Sequence, residues 1–113
     1  MQSDRELLEL AAKAAGIEVK PMKGFDGVER LHTGAGSYMP LIWNPLTDDG
    51  DALRLAVRLG IEVGNYHQYG RALASIGCTR GVGEFWEINP DDHCAATRRA
   101  IVRAAAEIGR GMS

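Results

Sequence analysis

The sequence predicts a chain of the α/β type (α+β), in the order helix, strands, helix, strands, helix. Three observations carry this expectation. Three stretches repeat apolar residues at helical spacing and have capping residues at their ends. Between them, short runs alternate apolar and polar residues as half-buried strands do. Glycine stands where each of the first two helices should end, the position favoured by a left-handed residue.

The first helix opens at Ser3, which with Glu6 fits a capping box. Leu7, Leu8, Ala11 and Ala15 share one face, and Glu9 and Lys13 form an outward pair one turn apart. Gly16 ends the helix, and Ile17 to Lys20 alternates as a strand that Pro21 stops or confines to an edge. Gly24 and Gly27 bracket a turn at Phe25-Asp26. Two short strands follow, Val28 to His32 and Tyr38 to Trp43, separated by the loop from Thr33 to Ser37.

The second helix is expected to be capped by Thr47, with Asp48, Asp49 and Asp51 in its first turn, where carboxylates meet the positive end of the helix dipole. Ala52, Leu53, Leu55, Ala56, Val57 and Leu59 cover more than half its circumference, and Arg54 and Arg58 leave a narrow polar stripe. Such a helix should be covered on more than one side. Gly60 ends it, and Ile61-Glu62-Val63 begins a strand. The run Gly16-Ile17-Glu18-Val19 thus echoes Gly60-Ile61-Glu62-Val63. Shared helix–glycine–strand grammar accounts for the echo, and an internal duplication is the alternative. Strands at Arg71 to Ile76 and Gly83 to Ile88 are joined by a turn around Thr79-Arg80-Gly81. Asn89 and Pro90 read as the cap and first position of the last helix. Thr97, Ile101, Ala104 and Ile108 form its core stripe, and Arg99, Arg103 and Glu107 its wet face.

Composition narrows the function. At 113 residues the chain reads as a single domain over 1–113, long enough for its own core. Thirteen Lys+Arg against fifteen Asp+Glu give a net charge of -2, which argues against a nucleic-acid partner. An aromatic content of 6% leaves little material for stacking single-stranded bases. No apolar run approaches the ~18 residues of a membrane span, so no membrane partner is expected. The acidic opening Met1 to Leu10 fits neither a signal nor a transit peptide, and the cytoplasm is the expected compartment. Cys78 and Cys94 lack CxxC spacing; they read as reduced thiols, with a disulfide as the alternative.

Several groups are candidates for chemistry. Asp48, Asp49 and Asp51 are weak candidates for a metal, without the alternating ligands or distal Glu of a calcium loop; dipole complementarity is the simpler reading. His67, Cys78, His93 and Cys94 have zinc-type chemistry at the wrong spacing, and Cys78 with His67 makes a nucleophile pair only if the fold joins them. Gly34-Ala35-Gly36 and Gly81-Val82-Gly83 read as tight turns rather than anion loops. Arg98, Arg99 and Arg103 form a basic ridge, read mainly as a solvated face paired with Glu107 and otherwise as an anion site. The segment Tyr38 to Pro45 mixes aromatics and prolines. Trp43 reads first as a core plug beneath the second helix, and Tyr38 and Trp43 alternatively as a recognition surface.

The run Trp43-Asn44-Pro45-Leu46-Thr47-Asp48-Asp49-Gly50-Asp51-Ala52-Leu53-Arg54-Leu55-Ala56 resembles the signature of the phage ABA sandwich domain, a family of small bacteriophage and prophage proteins. The ending from Ala95 to Ala106 resembles that family's C-terminal helix, so the likeness spans nearly the whole chain. It implies a layered α-β-α sandwich with one small mixed or antiparallel sheet and about three helices, and action in the host bacterial cytoplasm. It supplies no catalytic residue and no cofactor.

The leading expectation is a non-enzymatic phage or prophage accessory protein that binds a host or phage protein, with a small anionic ligand as another partner class. The alternatives are an anti-defence protein that sequesters an anion or nucleotide, and a small metal-dependent phosphohydrolase built on the three aspartates. A homo-oligomer is compatible with all three.

Overall fold

In the computed structural model, which describes residues 3–34, 40–77 and 83–112, the Ser3 hydroxyl accepts the Glu6 N–H and opens α1 (Asp4–Ala15). Leu7, Leu8, Ala11, Ala12 and Ala15 are buried on its inner face. Glu9 pairs with Arg5 (3.2 Å), one turn back, and Lys13 donates to the Met112 carbonyl (2.9 Å), so the expected Glu9–Lys13 pair is replaced by partners nearer to hand.

A three-stranded antiparallel meander follows: β1 (Val19–Lys23), β2 (Glu29–Thr33) and β3 (Leu41–Ile42), in that spatial order. Pro21 lies within β1, an edge strand, where a missing ladder donor is tolerated. At the β1–β2 turn, Asp26 accepts the Val28 N–H and both ends of the Arg30 fork. The hydrogen bond from Arg30 comes first among the causes that hold the Asp26 carboxyl down to about 2.

The second half repeats the plan. Helix α2 (Asp49–Leu59) leads into β4 (Glu62–Tyr66), a short 3₁₀ turn at His67–Tyr69, β5 (Arg71–Ser75) and β6 (Glu84–Ile88), again an antiparallel meander in sequence order. Asp48 rather than Thr47 caps α2, its carboxylate accepting the Asp51 N–H at 2.8 Å; the Thr47 hydroxyl turns back to the Asn44 carbonyl. The two helix exits are near copies. Gly16 and Gly60 are left-handed (φ 69° and 66°), and the N–H groups of Ile17 and Ile61 reach back to Ala12 and Ala56 carbonyls, each at 2.9 Å. A side chain at either glycine would meet the steric penalty of the left-handed region.

Helix α3 (His93–Arg110) is capped by Asp92, which accepts the Ala95 N–H at 2.9 Å. Asn89 instead accepts the Asp92 N–H within the preceding turn, so the cap lies three residues later than the Asn-Pro pair suggests. α3 is the centre of the molecule, packing on α1, α2, β5 and β6. Its burial therefore exceeds a single stripe: Ala96, Ala100, Ile101, Val102 and Ala104 to Ala106 are all buried. Small side chains let α1 come close, and at Gly109 a Cβ would lie 2.0 Å from the Leu10 carbonyl oxygen.

The architecture is thus α+β with three helices and helices packed on sheet. The strands divide into two antiparallel sheets of three rather than forming one. The reason is local. The chain leaves β3 through the Asn44-Pro45 turn and enters α2 at once, so each meander pairs only with its sequence neighbours. One apolar cluster nevertheless runs through α1, Leu31, Trp43, α2, Ala74 and α3. Among the described residues no helix is long and apolar enough to cross a membrane.

Candidate functional site

The residues singled out for chemistry are engaged in holding elements together. Asp48 is the α2 cap. Asp51 accepts the Asn44 N–H (3.0 Å) and Arg54 (2.7 Å), fixing the turn that feeds α2. Asp49 accepts Arg98 Nη1 at 2.6 Å, while Arg98 Nε donates to the Leu46 carbonyl at 2.7 Å. Arg98 therefore clamps α3 to the start of α2. Arg99 bonds Asp4 at the start of α1 (3.0 Å), and Arg103 bonds the Trp86 carbonyl (2.9 Å) and Glu87 on β6. The expected solvated ridge is instead three clamps to three neighbours, and Glu107 pairs with Arg110 rather than Arg103. Trp43 is 6% exposed and belongs to the core cluster, as its plug reading expects. Tyr38 and Cys78 lie outside the described residues, as do most of both glycine doublets.

A mainly apolar cleft of about 620 Å³, with a few polar side chains at its wall, opens where α2, β4 and α3 meet. His93 Nε2 is 3.0 Å from Asn65 Oδ1, and Nδ1 is buried without a hydrogen-bond partner. The Thr97 hydroxyl lies 2.9 Å from the His93 carbonyl and 3.3 Å from Asn65 Oδ1. His67 meets His93 edge-on at 5.5 Å. Cys94 is an exposed free thiol. Among the described residues no group of three His, Cys, Asp or Glu side chains is arranged to hold a metal.

The largest concentration of recognition chemistry lies on the face of the second sheet turned away from α3. The β4–β5–β6 register puts Ala72, Ala74 and Phe85 on the face toward α3. The same alternation sends Tyr66, Arg71, Leu73, Trp86 and Ile88 outward. Tyr66 and Trp86 pack at 5.5 Å between ring centroids. The Arg71 guanidinium lies over Trp86 (5.5 Å) and over Tyr69 of the 3₁₀ turn (5.7 Å). Trp86 Nε1 donates to Glu84. Gly64 opposite Leu73 makes room for the Tyr66 ring, which a Cβ there would meet at 3.1 Å. Tyr66, Tyr69, Trp86 and Ile88 are all exposed. The alternation in Phe85-Trp86-Glu87-Ile88 signals a strand with apolar residues on both faces, but only the hairpin register brings Trp86 beside Arg71 and Tyr66.

Comparison with protein families, with characterised proteins and with solved structures gives no match to this chain.

Proposed function

We propose that the protein is a non-enzymatic binding module, an accessory protein of bacteriophage or prophage origin that acts on a host or phage protein in the bacterial cytoplasm. The observation that carries the reading is the aromatic–arginine face of the second sheet. Tyr, Trp and Arg dominate the binding energy of protein interfaces, because they offer large rigid contact area with few rotatable bonds. Here Tyr66, Tyr69, Arg71 and Trp86 are preassembled by mutual stacking, so little ordering cost remains on association. The engagement of Asp48, Asp49 and Asp51, and of Arg98, Arg99 and Arg103, in internal bonds favours this reading over the phosphohydrolase and anion-sequestering alternatives. The phage assignment rests on the sequence resemblance of the Trp43 to Ala56 run.

The test is differential capture from infected and uninfected bacterial lysate with the tagged wild type and with the Tyr66→Ala/Trp86→Ala double variant. The expected result is one dominant protein retained by the wild type and lost, at least about tenfold, by the variant at an unchanged unfolding midpoint. Equal capture by both proteins overturns the assignment of this face. A thermal shift with nucleotides or with Mg²⁺ alone, abolished by Arg98→Ala or Asp49→Asn, moves the function to one of the alternatives.

A further inference from the structure

We propose that the groove between β3 and α2 is a homodimer interface, in which a second copy of this chain lays its own α2 antiparallel against the first. The groove is independent of the aromatic face. α2 packs on α3 and buries Ala52, Leu55 and Ala56, but its other apolar side is bare. Leu53 is 63% exposed and Val57, one turn on, 73%. Facing them, Leu41 and Ile42 of β3 are 63% and 56% exposed. Together they border an open groove of about 1240 Å³. The second covering layer that the α2 pattern demands is thus missing from the single chain.

The chain as a whole exposes more surface than a compact monomer of its mass. The chain exposes 7256 Å² for a mass of 12.2 kDa, whereas a compact monomer of that mass exposes about 6,100 Å². Its radius of gyration is 14.3 Å, against about 13.3 Å for a compact chain of this length. The excess belongs to the whole chain, and the bare Leu41, Ile42, Leu53 and Val57 contribute to it.

Charge and shape identify the occupant as a second copy. A twofold interface must be self-complementary, each contact occurring twice. α2 has acids in its first turn (Asp49 and Asp51, after the Asp48 cap) and Arg58 in its last. Antiparallel pairing about a twofold axis sets Leu53 of one copy against Val57 of the other. It opposes the two helix dipoles and brings each Arg58 toward the start of the opposite helix, where Asp48, Asp49 and Asp51 already bond Arg54 and Arg98 within their own chain. The Leu53–Val57 ridge then fills the recess bordered by Leu41 and Ile42.

Sedimentation equilibrium on the full chain, over about 1 µM to 1 mM, tests this. The wild type should show twice the 12.2 kDa chain mass. Val57→Glu, and separately Leu53→Glu, should weaken the dimer about 100-fold or more by burying a charge in the interface. Both positions are exposed in the single chain, so circular dichroism and the unfolding midpoint of the separated monomers should be unchanged. Arg58→Glu should weaken the dimer about tenfold at low salt and less at high salt. Trp86→Ala, on the aromatic face, should leave the mass at dimer. A wild type that stays monomeric, an assembly larger than a dimer, or a dimer that survives Val57→Glu and Leu53→Glu overturns the proposal. These masses do not depend on whether the aromatic face captures a protein.

Discussion

The two halves of the molecule share one local plan and meet opposite fates. Each is a helix, a left-handed glycine and a three-stranded meander, and the two helix exits agree to a few degrees in φ and ψ. Yet the β4–β5–β6 sheet is sealed on one face by α3, with Ala72 and Ala74 fully buried. The β1–β2–β3 sheet has no such cover. Four of the five residues of β1 and both of β3 are exposed, and the sheet is held mainly through Leu31, Trp43 and the Arg5–Glu29 bridge (2.8 Å). The difference teaches that local sequence sets the elements, while burial depends on what the rest of the chain supplies. α3 follows only the second meander, and its alanine-rich surface fits the small residues of β5.

Trp43 offers the hardest way to break this contrast. As the largest buried anchor of the first sheet, its change to alanine should cost about 3–5 kcal/mol and loosen β1 to β3 before β4 to β6. Denaturant unfolding with hydrogen exchange by residue checks both parts; a loss below ~1 kcal/mol removes Trp43 from its anchoring role.

Overpacking separates the sheets next. Ala74→Leu on the α3 side of β5 should cost about 1–3 kcal/mol, because α3 leaves no room. Met22→Leu on the exposed face of β1 should change stability by less than about 0.5 kcal/mol. Similar losses at the two sites in thermal unfolding would mean that the first sheet is covered in solution too.

A pair of matched losses tests the shared plan itself. Gly16→Ala and Gly60→Ala should each cost about 1–2 kcal/mol, the penalty of a Cβ in the left-handed region. The two losses should agree, since neither Cβ meets an obstructing atom. A markedly larger loss at one site would show that the exits differ in more than their surroundings.

Much of the fold was legible because its causes are local. The Ser3 cap, Gly16, Gly60, the Pro21 edge strand and the strands near Arg71 and Glu84 follow from short-range sterics and hydrogen bonds that residue types announce. The caps Asp48 and Asp92 lie one and three positions beyond the expected Thr47 and Asn89, which offer the same chemistry. The candidate site was less legible. Arg98, Arg99 and Arg103 look alike along a helix, and only their neighbours Asp49, Asp4 and Glu87 reveal three separate clamps. Tyr66 and Trp86 stand twenty positions apart, and only the strand register joins them.

The sequence by itself therefore determined the element order, the helix exits and the apolar excess of α2, each encoded within a few residues by backbone sterics and periodicity. Tertiary structure alone decided that the strands form two sheets, that α3 becomes the buried centre, and that Leu53 and Val57 remain bare while Leu55 is covered. The physical reason is that burial depends on which distant surfaces fit, and that fit is a property of the whole packed chain.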